Sequence, residues 1–466
     1  MKKISLTLFF VLFHFCVFSQ TRYFRTNLKG IASITSDDQV PFWMRSIQYG
    51  SIPLTGPSVS LIGSIHKDYD TTKARFADWG AGIEGRLNAG KGSEAILVEG
   101  YAKAKLGVIE LKGGRMKEFF GLTDTLLTTG NYAMSGNALG IPKIQIAIPE
   151  FYPIPIFGEI FAIKGLYAQG WLGDKGIQFK RIDHAVTYFH QKAFYVRIGK
   201  PEWRLKLYGG FNDQAFWGHE AEIFESFILT GWEKYWSVVF GKNWAQSKVG
   251  NHAGNIDFRI DYDFDNIRVG VYRQNFYEVG GLYHLANIAD GINGLTLQNK
   301  APHVNNFYWK RFVFEFLYSK NQAGEAWSKP TTTGNENYLN HDLYTEGWSY
   351  KGLGLGTPFI TQAGNAAPGQ YSIDRNFFIN NRVAAVHLGM DLSFGRWSSL
   401  AKFSFSKNFG THDTRLFKEV DQFSAYLDNR RKLKNNWEVG GTLAFDYGKL
   451  LNNSTGLMFV VSKSFN

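Results

Sequence analysis

Beyond its first nineteen residues the chain has no long apolar stretch, yet aromatic residues, 16% of the total, recur on alternate positions. A membrane-spanning helix needs about 20 consecutive apolar residues, whereas a tilted barrel strand needs only about 10 with one apolar face. In Phe312-Val313-Phe314-Glu315-Phe316-Leu317-Tyr318 every even position is aromatic and Glu315 lies among the odd ones. The pattern returns in Leu443-Ala444-Phe445-Asp446-Tyr447 and in Trp203-Arg204-Leu205-Lys206-Leu207. A soluble sandwich also alternates, but it turns polar residues to water and seldom exposes bulky aromatics so freely. The alternation therefore predicts an all-β fold, a transmembrane antiparallel β-barrel.

The two ends agree with this. Lys2 and Lys3, the apolar stretch Ile4 to Phe18 and the step Val17-Phe18-Ser19 read as a secretory signal over 1–19, leaving 20–466 as one barrel domain. The single cysteine, Cys16, falls inside that signal, so disulfides and thiolate metal sites are excluded from the mature chain. At the other end Leu457, Phe459, Val461 and Phe465 share one parity, as in the closing strand of an outer-membrane barrel. The expected location is the outer membrane, in contact with its lipid.

Removing Lys2 and Lys3 from 51 basic residues leaves 49 against 40 acidic ones, a surplus of nine. Nucleic acid is the general partner for such a surplus, but a secreted barrel meets acidic polysaccharide or lipid phosphate instead. Basic residues at strand rims, beside charged headgroups, account for part of it.

At about 25 residues per strand and connection, the mature chain suits about 16 to 18 strands. Alternation places strands at 22–34, 58–69, 78–89, 93–105, 157–171, 190–199, 203–211, 234–244, 255–264, 267–276 and 291–298. Others fall at 306–318, 380–394, 398–408, 420–430, 437–447 and 456–465. If the last strand ends in the periplasm, the short turns at Gly395-Arg396, Asp265-Asn266 and Lys200-Pro201 are periplasmic. The long connections 277–290, 319–379, 409–419 and 448–455 then face outside, and 319–379 is long enough to fold over or into the mouth. Residues 113–156 carry Pro142, Pro149, Pro153 and Pro155, too many for a paired central strand, and are expected to tuck into the lumen.

Catalytic signatures fail on inspection. His219-Glu220-Ala221-Glu222-Ile223 starts like a zinc-protease helix but has Ile223 where the second histidine must close the site. Gly90-Lys91-Gly92 lacks the hydroxyl residue of a phosphate loop, and Gly352-Leu353-Gly354-Leu355-Gly356 lacks the spacing and context of a dinucleotide site. No catalytic residue, cofactor or metal is expected, and a hydrolase assembled across strands ranks last among the readings.

Sugar binding needs flat aromatic faces beside amide, hydroxyl and guanidinium groups. The outer loop from 335 to 359 has that composition, with Tyr344, Trp348 and Tyr350 as candidate stacking platforms and His341 and Lys351 as polar partners. Arg115 is the further charged candidate. Packing of the same rings against the barrel rim is the competing explanation.

Several ordered stretches carry a resemblance. They are Pro41-Phe42-Trp43-Met44 with Gln48-Tyr49-Gly50, then Gly113-Gly114-Arg115-Met116-Lys117-Glu118 with Gly121-Leu122. Ser135-Gly136-Asn137-Ala138 through Pro142-Lys143-Ile144, Gly165 to Trp171 and His190 to Tyr195 continue the set. It ends with Asn337-Tyr338 to His341, Tyr344, Gly347 to Gly352 and Gly356-Thr357-Pro358. Together they resemble the capsule assembly family Wzi, in its Bacteroidetes form. The resemblance implies an eighteen-strand outer-membrane barrel that binds capsular polysaccharide as a lectin, neither exporter nor enzyme; a monomer is expected. Thr357 stands where that form usually has Asn and Gln169 where it often has His; unlike the enterobacterial form, no helical segment is expected before the barrel, since strand-like sequence begins almost at Tyr23. A porin-like channel for small anions is the alternative reading.

Overall fold

Alternate aromatic positions become the outer surface of a closed antiparallel sheet. The computed structural model describes residues 24–465 apart from 73–74, 179, 181, 245–246, 279, 304–305, 325–334, 371–375 and 415–416. The signal expected at 1–19 lies outside the described residues. Eighteen strands form the sheet. They are β1 (Phe24–Thr35), β2 (Ser58–Lys67), β3 (Ala77–Ala89), β4 (Glu94–Leu106), β5 (Ile109–Arg115) and β6 (Lys143–Pro153). Next come β7 (Phe161–Gly176), β8 (His184–Ile198), β9 (Leu205–Gly218), β10 (Asn251–Asp263), β11 (Ile267–Tyr277) and β12 (Gly291–Asn299). The last are β13 (Phe307–Tyr318), β14 (Val383–Phe394), β15 (Trp397–Asn408), β16 (Val420–Lys432), β17 (Trp437–Gly448) and β18 (Thr455–Phe465). Each pairs with its sequence neighbours, and β1 pairs antiparallel with β18, Ala32 opposite Phe459, so the sheet has no free edge.

Side chains sort by parity as the sequence requires. On β13 Phe314 and Phe316 point outward, 50% and 37% exposed, whereas Val313, Glu315 and Leu317 are fully enclosed. On β15 Phe403 and Phe405 face out while Lys402, Ser404, Ser406 and Asn408 are buried inside. The result is an apolar belt around a polar interior, the arrangement of an outer-membrane barrel. No helix among the described residues is long and apolar enough to cross a membrane.

The turns at 395–396, 264–266 and 199–204 lie at one end with both ends of the sheet, and 278–290, 319–382, 409–419 and 449–454 lie at the other. This is the expected asymmetry of short periplasmic turns and long extracellular loops.

Two expectations need correction. Residues 234–244 are not a strand: Gly231–Val239 form a helix, because Trp232, Trp236 and Phe240 recur every fourth position rather than every second. Within 113–156, β5 and β6 do enter the wall, and only 116–142 tucks into the lumen. The prolines are tolerated because Pro149 sits in a register shift between Ile148 and Tyr152 and Pro153 ends the strand.

Candidate functional site

Among the described residues, three segments fold inward from the extracellular end: 36–57, 116–142 and 335–370. Their side chains merge with lumen-facing wall residues in one apolar cluster that includes Phe42, Trp43, Tyr132, Phe189, Phe216, Phe276, Tyr338 and Trp348. Polar side chains of the wall tie this plug in place. Glu315 accepts hydrogen bonds from Thr128 Oγ1 at 2.7 Å and the Thr129 amide at 2.5 Å, and from the Tyr272 hydroxyl. Trp43 Nε1 donates to Ser404 Oγ at 3.0 Å, and Gln274 Oε1 accepts from the Tyr132 amide at 2.9 Å. Near the rim, Asp290 accepts from the Tyr338 hydroxyl at 2.7 Å and the Gln322 amide at 2.7 Å. Burial pushes the Asp290 carboxyl up to about 6.

The wall itself is notched. β5 pairs with β4 only as far as Arg115 opposite Gly100, and β6 with β7 only as far as Lys143 opposite Gly170. Above that level β4 and β7 lose their partners on the facing sides, and residues 344–354 lie across the gap. Thr345 donates its amide to the Gly176 carbonyl at 3.0 Å. Lys175 Nζ donates to the Ser349 carbonyl at 3.3 Å and pairs with Glu346 at 3.3 Å. From the other side Arg115 Nη2 donates to the Tyr350 hydroxyl at 3.2 Å.

The six sequence candidates therefore gather at this notch, but in altered roles. Tyr344, Trp348 and Tyr350 are 6%, 1% and 4% exposed, so none offers a free face to a sugar ring. Trp348 stacks on Phe216 with centroids 4.0 Å apart and donates Nε1–H to the Ala133 carbonyl at 2.8 Å. Tyr344 meets Phe216 edge-on, and burial raises its hydroxyl well above the ordinary range. The stacking-platform expectation is corrected: these rings pack the plug because the lumen-facing Phe216 gives them an apolar partner.

His341 accepts the Leu343 amide on Nδ1 at 3.1 Å, and burial lowers its titration to about 4. Lys351 is exposed at the tip of the Ser349–Tyr350 and Leu353–Gly354 pair. Lys351 and Gly352 both have positive φ, 53° and 76°, as a two-residue type I′ turn requires. A lysine in the left-handed region is strained where Gly or Asn would be relaxed. Its neighbour Tyr350 takes the hydrogen bond from the half-buried Arg115.

Sequence reasoning passed over Tyr283, 86% exposed in the connection 278–290 beside His284. Its placement outside, together with an aromatic next to a histidine, was the available signal. Two cavities lie between plug and wall toward the periplasmic end. One, of about 250 Å³, is lined by Glu110, Lys112, Gln145 and Lys164, and the other, of about 230 Å³, by Lys29, Glu84, Arg86, Lys117 and Arg430.

No protein-family model and no curated protein matches the chain in sequence. Solved structures match in fold. Wzi of Escherichia coli, described as an outer-membrane protein involved in group 1 capsule assembly and a carbohydrate-binding β-barrel, aligns with a TM-score of 0.57 at 10% identity, over 93% of this chain and 83% of its own. OpdQ of Pseudomonas aeruginosa aligns with a TM-score of 0.47 at 8% identity, over 95% and 98%. A BenF-like porin from Pseudomonas fluorescens gives 0.46 at 10% identity, also over 95% and 98%. The chain has the fold of an outer-membrane β-barrel.

Proposed function

We propose that this barrel binds acidic polysaccharide at the cell surface, capsular polysaccharide in the first instance, as a monomeric lectin that catalyses no reaction. The observation that carries the reading is the plug: three inward segments, bonded to the wall through Glu315 and Gln274, Ser404, and Lys175, occupy the lumen and leave the outer face as the working surface. The exposed Lys351, at the tip of a turn with positive φ, gives that face a cationic point suited to uronate or phosphate groups. The fold likeness to a carbohydrate-binding capsule-assembly barrel supports the same direction. Screening the purified barrel against glycans tests it: acidic polysaccharides should be retained and neutral ones not. Absence of binding to any acidic glycan would reject the reading.

A porin-like role for small anions is the second reading, favoured by the cavity in which Lys29, Arg86, Lys117 and Arg430 outnumber Glu84. Planar-bilayer recording separates the two. A plugged lectin passes little current, and a steady anion-selective conductance from the intact chain would favour the channel.

A further inference from the structure

On the lipid-facing side of β7 to β10 the apolar belt is interrupted. Gly165, Phe194, Phe211 and Ile256 form one cross-strand row of the belt. The next row toward the extracellular rim is Tyr167, Lys192, Asp213 and Gly254, and the one above it Gln169, His190, Ala215 and His252. A third row, Trp171, Tyr188 and Trp217, restores aromatics above them. All these residues share the outward parity of Phe194 and Phe211, so charged and polar groups stand on the outer wall between the apolar belt and an aromatic girdle. Lys192 pairs with Asp213 at 2.8 Å, His252 Nδ1 lies 3.2 Å from the same carboxylate, and Gln169 Nε2 lies 2.6 Å from His190 Nδ1. A bare lipid contact at this level would leave such groups in hydrocarbon without water.

They are not bare. His190, Asp213 and His252 are 0%, 7% and 3% exposed, because the 219–250 connection crosses the rim and descends outside the wall. Its helix Gly231–Val239 lays Tyr235 on the polar rows, where the hydroxyl bonds to Tyr167 and accepts from Gln169 at 3.0 Å. The Val239 carbonyl accepts from Lys192, and Phe227, Val238 and Val249 close an apolar cluster over Ala215. The opposite helix face carries Trp232, Trp236 and Phe240, 75%, 44% and 68% exposed, at the four-residue spacing of one stripe.

We propose that this helix lies flat in the outer leaflet against the barrel, with Trp232, Trp236 and Phe240 in contact with lipid acyl chains, replacing the belt that the polar rows interrupt. Continuity with the belt selects lipid as the occupant: Phe194 and Phe211 lie one row below the covered patch, and the aromatic stripe continues their surface outward. The inner face of the helix satisfies the polar groups; the outer face takes over their contact with hydrocarbon.

The test places an environment-sensitive fluorophore on single cysteines in a Cys16→Ser background, using the full barrel in phosphatidylcholine vesicles. Dye at Trp236→Cys, and separately at the more exposed Trp232→Cys, should emit blue-shifted. It should be quenched by brominated acyl chains as strongly as dye at Phe258→Cys, whose side chain belongs to the belt. Dye at Tyr283→Cys serves as the aqueous reference. Emission and quenching at 232 and 236 matching that reference would overturn the proposal. So would protection that vanishes on diluting the protein in lipid, which would assign the face to a second copy of the chain.

Discussion

Two aromatic-rich connections leave the same rim and finish on opposite sides of the wall. The 335–359 segment goes inward and buries Tyr344, Trp348 and Tyr350, whereas the 219–250 segment goes outward and exposes Trp232, Trp236 and Phe240. Composition does not distinguish them; the wall beneath each does. Inside, Phe216 presents an apolar ring and the notch between β4 and β7 leaves room for a hairpin. Outside, Lys192, Asp213 and His252 present polar groups that demand partners, so the covering helix turns Tyr235 and its backbone inward and leaves its indoles outside. An aromatic loop on a barrel thus marks a binding surface only after the parity of the strand it covers is known.

The largest effect that could break this contrast is on folding. Trp348→Ala should destabilise the barrel by about 3–5 kcal/mol, the cost of emptying a packed aromatic site, and leave the Ala133 carbonyl without its donor. Trp232→Ala in detergent should cost under about 1 kcal/mol, since its ring is mostly exposed. Heat-modifiability on electrophoresis reads both, and equal losses would erase the distinction between inner and outer rings.

Next in size is the anchor of the plug. Glu315→Ala removes the shared acceptor of Thr128, Thr129 and Tyr272, and hydrogen bonds to a charged group are worth about 1.5–3 kcal/mol each. The variant should show protease cuts within 116–142 and intermittent current in bilayers, while wild type shows neither. A silent, protease-resistant variant would mean that apolar packing alone holds the plug.

Acid should loosen the inner loop through His341. Its titration sits at about 4 in the folded protein, below the 6.5 of a free imidazole, so the folded state binds fewer protons between those values. The contribution is complete above about pH 6.5 and is lost as pH falls toward 4, where a protonated Nδ1 can no longer accept the Leu343 amide. Asp290, pushed up to about 6, acts in the opposite sense over much of the same range, so the comparison must be made against His341→Gln. Hydrogen exchange at 341–344 should quicken by acid in wild type, by about 1 kcal/mol of local stability, and show no such step in the variant.

The smallest effect sharpens the site. Lys351→Gly relaxes the left-handed turn and should stabilise the hairpin by about 0.5–1 kcal/mol while weakening retention of acidic polysaccharide, most visibly at low salt. Tighter binding would remove Lys351 from the surface that takes the glycan.

Most of the wall was legible because a barrel strand writes its geometry at period two: Phe312 to Tyr318 and Leu457 to Phe465 needed only their parity to be placed. β5 and β6 escaped because seven residues with three glycine or arginine positions at one end, and a strand broken at Pro149, blur that period. The covering helix escaped because nine residues of mixed character can be read at either period. The notch is invisible to a single sequence, since it depends on where Arg115 and Lys143 stop pairing with strands that continue past them. So the three rings read as stacking platforms are packed inside, while Lys351 is exposed.

The seam between β1 and β18 sets an order on assembly. Asn27 meets Ser464 there, with their side chains 3.1 Å apart across 437 positions of sequence, so the ring cannot shut until the last strand has been made. By then the segments 36–57 and 116–142 and the 319–382 connection already exist, each attached at both ends to strands of an open sheet. The interior can therefore be laid down against a curved, unclosed wall, and the final strand locks it in like the last stave of a cask.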